Sequence, residues 1–77
     1  MSLLYNLKSG DLATISGINT ATAEQSLYQR LMALGFRVGK QIKVMRKASF
    51  NGPLQVRIGS TDIILRESEA KLIQISH

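Results

Sequence analysis

Cysteine is absent from this chain of 77 residues, and its one histidine is the last residue, His77. Without thiols there is no disulfide framework, no cysteine-based zinc site and no thiol nucleophile. Iron and zinc are ordinarily held by imidazole, thiolate or carboxylate groups. Only carboxylates remain in any number, at Asp11, Glu24, Asp62, Glu67 and Glu69, and they are scattered among strand starts and turns. Glu67 and Glu69 lie close in sequence and read as solvating a turn, with a weak carboxylate metal site as the alternative. Met32 and Met45 read as core fillers. A catalytic centre needs a nucleophile or base held by a partner, and no such pair is in view. Gly35 and Gly39 flank Phe36-Arg37-Val38 as a turn pair, without the hydroxyl residue of a phosphate-binding loop. The chain reads as a non-enzyme with no catalytic residues and no metal ligands.

Tryptophan is also missing, and the aromatics are limited to Tyr5, Tyr28, Phe36 and Phe50. None lies inside the basic strands, so a base-stacking platform is poorly supplied. No apolar run approaches the ~20 residues of a membrane-spanning helix. Residues 1–8 lack the basic start and apolar run of a signal peptide. A cytoplasmic location is the expectation, with one small domain over residues 1–77.

Acidic residues are the other scarcity, five against ten basic ones. From Gln25 to Thr61 there are Arg30, Arg37, Lys40, Lys43, Arg46, Lys47 and Arg57, and no acidic residue. That stretch makes a positive face able to meet nucleic acid, anionic lipid or an acidic protein surface. The plainer alternative is a solvated strand face whose lysines keep sheet edges from pairing with other chains.

The patterning is mostly of period two. Residues 11–18 alternate Leu12, Thr14 and Ser16 with Ala13, Ile15 and Gly17, after a turn at Gly10, which predicts a first strand. One helix follows: Thr22 is placed as N-cap with Gln25 three residues on. Leu27, Leu31 and Leu34 form a single stripe. Gly35 stands at the left-handed C-terminal cap, and Phe36 is set to fold back on the last turn. A helix of about three turns needs a sheet to cover its stripe. After a turn at Val38-Gly39, strands are predicted at residues 41–45, 54–58, 62–66 and 72–75, with a single helical or 3-10 turn at 67–70. Residues 48–53 form the clearest connector. Five short strands with tight connections and one inserted helix argue for an all-β domain, its sheet curled into a small barrel.

Residues 29–44 contain Arg30-Leu31, the step Leu34-Gly35-Phe36, then Gly39 and Ile42-Lys43-Val44. Together they resemble the signature of the ferrous iron transport protein A (FeoA) family. Asn51-Gly52-Pro53 with Leu54, Val56 and Ile58 agrees with it, as do Ile63-Ile64-Leu65-Arg66, Glu69-Ala70 and Ile73-Gln74-Ile75. The opening from Leu7 to Ile15 fits as well, so the resemblance covers nearly the whole chain in order. It implies an SH3-like barrel in the cytoplasm, peripheral to the membrane only through a partner, the FeoB permease with its cytosolic GTPase domain. It implies no nucleotide hydrolysis by the small protein and fixes no oligomeric state. Fe2+ enters through the transport pathway alone, with no tightly bound cofactor. Similar barrels end iron-dependent transcription regulators, but this chain has no DNA-reading helix-turn-helix.

The partner-binding surface expected from these readings joins the helix-to-strand corner Leu34, Gly35, Phe36 and Arg37 to Lys43, Arg46 and Lys47, with Phe50 at a loop tip. Apolar groups there would supply affinity and basic ones would speed encounter. Phe50 has the alternative of folding over the open end of the barrel. The rival functions are a nucleic-acid-binding barrel using the same basic face and a weak transition-metal-binding domain.

Overall fold

A computed structural model describes residues 2–19 and 25–76. Among these residues six strands run antiparallel: β1 (Ser2–Leu3), β2 (Leu12–Ile18), β3 (Gln41–Lys47), β4 (Leu54–Ile58), β5 (Thr61–Leu65) and β6 (Ile73–Ser76). Helix α1 (Gln25–Ala33) is inserted after β2, and the single turn α2 (Glu67–Ala70) precedes β6. The hydrogen-bonded order is β1-β6-β2-β3-β4-β5. Extents of 28 × 26 × 25 Å are nearly equal, so the sheet is curled, not flat. Register shifts between Ile15 and Gly17 in β2 and between Val44 and Arg46 in β3 mark the bends, as an extra unpaired residue in one strand increases local twist. Between the end strands β1 and β5 the ladder stays open. There α2 lies against both β5 and the 3-10 turn that follows β1.

The alternation does what period two requires. Ala13 and Ile15 of β2, Ile42 and Val44 of β3, and Leu54, Val56 and Ile58 of β4 all point into one interior. β3 runs two residues beyond the predicted 41–45, because past the bulge Arg46 and Lys47 still pair with Gln55 and Leu54.

Leu31 is fully buried, with Leu27 and Leu34 packed more loosely against the same cluster. The expected N-cap, Thr22, lies outside the described residues, as does His77. At the other end the cap is as predicted. Gly35 has φ +99° and donates to Met32 O at 3.1 Å, while Phe36 N–H donates to Leu31 O at 3.0 Å. This is a Schellman motif, in which a left-handed residue lets the chain reverse and its successor pack on the helix. A Cβ on Gly35 would meet only Ile58 Cγ2, at 3.9 Å, so strain and not a clash decides that position. Gly35→Ala is expected to lower unfolding free energy by about 1–2 kcal/mol, read by urea denaturation; an unchanged midpoint would refute the role.

The alternation beginning at residue 11 left the N-terminal residues without an element, and the fold supplies one. Ser2 pairs with Ile75 and Leu3 with Gln74. A 3-10 turn, Leu4–Asn6, then drops Leu4, Tyr5 and Leu7 into the core. Tyr5 Oη donates to Gly52 O at 3.2 Å, so the segment also closes on the 48–53 connector.

Candidate docking surface

Accounting for the seven cations of residues 25–61 divides them sharply. The Arg30 guanidinium pairs with the Glu69 carboxylate, whose residue is only 5% exposed. Lys47 Nζ donates to the carbonyls of Tyr5 and Leu7 and lies 4.4 Å from the Tyr5 ring centroid. Arg57 Nε donates to Asp62 Oδ1 at 2.6 Å and its Nη2 to Oδ2 at 3.1 Å. Arg37, Lys40, Lys43 and Arg46 are exposed and form no ion pair among the described residues. Lys43 faces Leu12 on one side and Arg57 on the other across the sheet, and Asp62 follows Arg57 in the same row. Like charges directly opposite destabilise a strand pair, and the Asp62 carboxylate relieves the Arg57 half of that repulsion.

The Arg57 hydrogen bond holds the Asp62 carboxyl below its ordinary value, against a smaller opposing effect of desolvation. A depressed folded pKa contributes stability that is present above the unfolded value and lost as pH falls through the folded one. Wild-type stability is therefore expected to decline on acidification below about pH 4, and Asp62→Asn to remove that part of the slope. Identical slopes in acid denaturation of the two proteins would contradict this.

The expected partner surface is not one patch. Leu34, Gly35 and Lys43 do come together, lining a depression of about 670 Å³ with Leu12, Lys40 and Arg57. Arg37 lies in a second depression, beside Tyr28 and Met32, and Arg46 in a third, beside Pro53 and Ile64. Two residues are withdrawn from the surface, one fully and one in part. Phe36 is fully buried because the helix cap turns its ring inward, and Lys47 is spent on the N-terminal segment. Phe50 is 100% exposed at φ 58°, so it does not fold over the barrel end.

Other features escaped the sequence. Leu12 shares outward parity with Thr14 and Ser16, and it is 52% exposed. Ile64 falls between two inward residues, Ile63 and Leu65, and is 63% exposed. In both cases the signal was an apolar residue on the solvent parity of its strand. Glu69 does not merely solvate a turn: it accepts from Arg30 and, at 2.8 Å, from Arg66 N–H. Glu67 sits 3.5 Å from Lys71 Nζ. The two carboxylates thus answer cations, and among the described residues no group of three His, Cys, Asp or Glu gathers to hold a metal ion. No helix among them is long and apolar enough to cross a membrane.

A curled antiparallel sheet with one inserted helix and a cationic exterior defines a small SH3-like β-barrel. The FeoA domain family matches residues 3–77, and the chain belongs to that family, whose members are accessory proteins of transport and not enzymes. An Fe(2+) transport protein A of Campylobacter jejuni is 33% identical over 73 residues, 95% of each chain. The solution structure of a Chlorobium tepidum FeoA protein is 32% identical, with a TM-score of 0.84 over 96% of this chain and 68% of that one. The crystal structure of Stenotrophomonas maltophilia FeoA complexed with zinc, described as an SH3 domain protein, has a TM-score of 0.87 at 28% identity. That alignment covers 99% of this chain and 91% of the other.

Proposed function

We propose that this protein is a cytoplasmic accessory of ferrous iron uptake that acts by docking on the cytosolic part of the FeoB permease. Fe2+ is the cargo of the permease, and the small barrel itself holds no metal tightly. The observation that carries the reading is the exposed pair Lys40 and Lys43, which has no counter-ion among the described residues, beside the outward apolar residue Leu12. A fold that needed these groups for itself would pair or bury them. Family membership supports a transport-related partner, and that partner would bring the protein to the membrane. Of the aromatics, Tyr5 and Phe36 are buried, which leaves little to stack on bases and disfavours nucleic acid as the ligand.

The test is retention of the full chain by the immobilised cytosolic part of the cognate FeoB. Binding is expected at low salt, with an association rate that falls as ionic strength rises, because rim charges act mainly on encounter. No retention at about 50 mM salt, where charge steering is least screened, would sink the reading.

A further inference from the structure

The depression of about 670 Å³ lies between the end of α1 and the turn joining β4 to β5. One wall is Leu34 and Gly35, the other is residues 58–61; β2 contributes Leu12, β3 contributes Ile42 and Lys43, and Lys40 stands just before β3. Its apolar surface is open to solvent at Leu12 and half-covered at Leu34. Among the described residues its charged groups are all cationic: Lys40, Lys43 and Arg57 line it, and no carboxylate does. Asp62, one strand further out, answers Arg57, so Lys40 and Lys43 are the uncompensated pair.

Each half of this arrangement narrows the occupant. A phosphate or carboxylate alone would leave Leu12 and Leu34 unused, and a purely apolar ligand would strip water from two lysines with nothing in return. Among the described residues no aromatic side chain lines the depression, so they offer no stacking surface of the kind that single-stranded RNA uses. An apolar anchor flanked by negative charge satisfies both halves.

We propose that this depression binds an acidic peptide segment that lays one apolar side chain onto Leu12 and Leu34 and sets carboxylates against Lys40 and Lys43. The inference deepens the docking function above and rests on it for the identity of the partner, the cytosolic part of FeoB. The Lys43–Arg57 repulsion across β3 and β4 fits this role, since an incoming carboxylate relieves on binding what the folded barrel leaves unrelieved. Leu12, on the outer face of β2, is the anchor's seat most easily changed without disturbing the core.

Two arms test this with the full chain. In the first, 15N-labelled protein is titrated with a short capped peptide carrying one leucine among glutamates, and with its glutamine counterpart. Amide shifts are expected at Leu12 and at residues 40–43 and 58–61, from the glutamate peptide only, and weaker by about tenfold in Leu12→Thr. The proposal is overturned by no shifts, by shifts spread evenly to Arg37 and Arg46, or by an RNA oligonucleotide that moves these amides when the peptide does not.

In the second arm, Lys40→Glu/Lys43→Glu is expected to weaken binding to the cytosolic part of FeoB by about tenfold or more. Arg37→Glu/Arg46→Glu, with the same change of charge, is expected to weaken it less than about threefold. Wild-type affinity in the first double variant would overturn the groove and leave FeoB standing as the partner. A peptide that maps to the groove while FeoB fails to bind would uphold the groove and remove that partner.

Discussion

Phe36→Ala is expected to cost the domain a large part of its stability. The ring is fully buried at the junction of α1 and the sheet, among Leu31, Ile42 and Val44 in one cluster. Truncating a buried phenylalanine costs about 3–5 kcal/mol, through lost burial and the cavity left behind. A chain of this size has on the order of 4–12 kcal/mol to lose, so the change removes about a quarter of the total or more. The substitution also strips the Schellman motif of its hydrophobic closure, since Phe36 and Leu31 are the two residues such a cap brings together. Phe36→Leu refills most of the volume and should recover more than half of the loss. Urea denaturation of the three proteins decides the matter: a midpoint for Phe36→Ala close to wild type would refute the core role and return Phe36 to the surface.

Arg30→Ala is the second large effect. Glu69 sits almost out of solvent, accepting from the Arg30 guanidinium and from Arg66 N–H. Removing Arg30 strands that carboxylate with one backbone donor. Breaking a fully buried pair by deleting one partner costs about 3–5 kcal/mol. Here the Arg30 side chain is 55% exposed, and solvent screens the pair from that side, so about 1–3 kcal/mol is expected. Glu69→Gln in the Arg30→Ala background should restore part of it, because a buried amide is cheaper to leave with one partner than a buried carboxylate. A double-mutant cycle on Arg30 and Glu69 measures the coupling. A loss within about 0.5 kcal/mol for Arg30→Ala would class the bridge with ordinary surface pairs. The bridge ties α1 to the α2 turn, and α1 carries Leu34 and Gly35, which form one wall of the docking depression. Its loss should therefore loosen partner binding as well as the fold, even though Arg30 does not line the depression.

The cationic character of residues 25–61 is visible in composition, but its meaning is not. A run of like charges in sequence says nothing about which members find counter-ions. Arg30 reaches Glu69 across 39 residues, and Lys47 reaches the carbonyls of Tyr5 and Leu7 across 42 and 40. Those partners become neighbours only when the sheet curls. The four cations left over are a remainder that three-dimensional pairing computes.

Local chemistry was legible wherever the cause is local. Period-two alternation fixed which of Ile42, Lys43 and Val44 face inward, because successive side chains on a strand must point to opposite faces. The glycine at position 35 fixed where α1 stops and buried Phe36, because only a residue at ease with positive φ reverses the chain there. Family membership was legible too, in the ordered set of short motifs along nearly the whole chain. Tertiary structure alone decided what depends on distant strands meeting. It gave the N-terminal residues a place beside β6, drew Glu69 beneath Arg30, and set Leu12, Lys43 and Arg57 in one row. No local preference dictates such neighbours, since each pairing gains its free energy only once the closure of the intervening loop has been met.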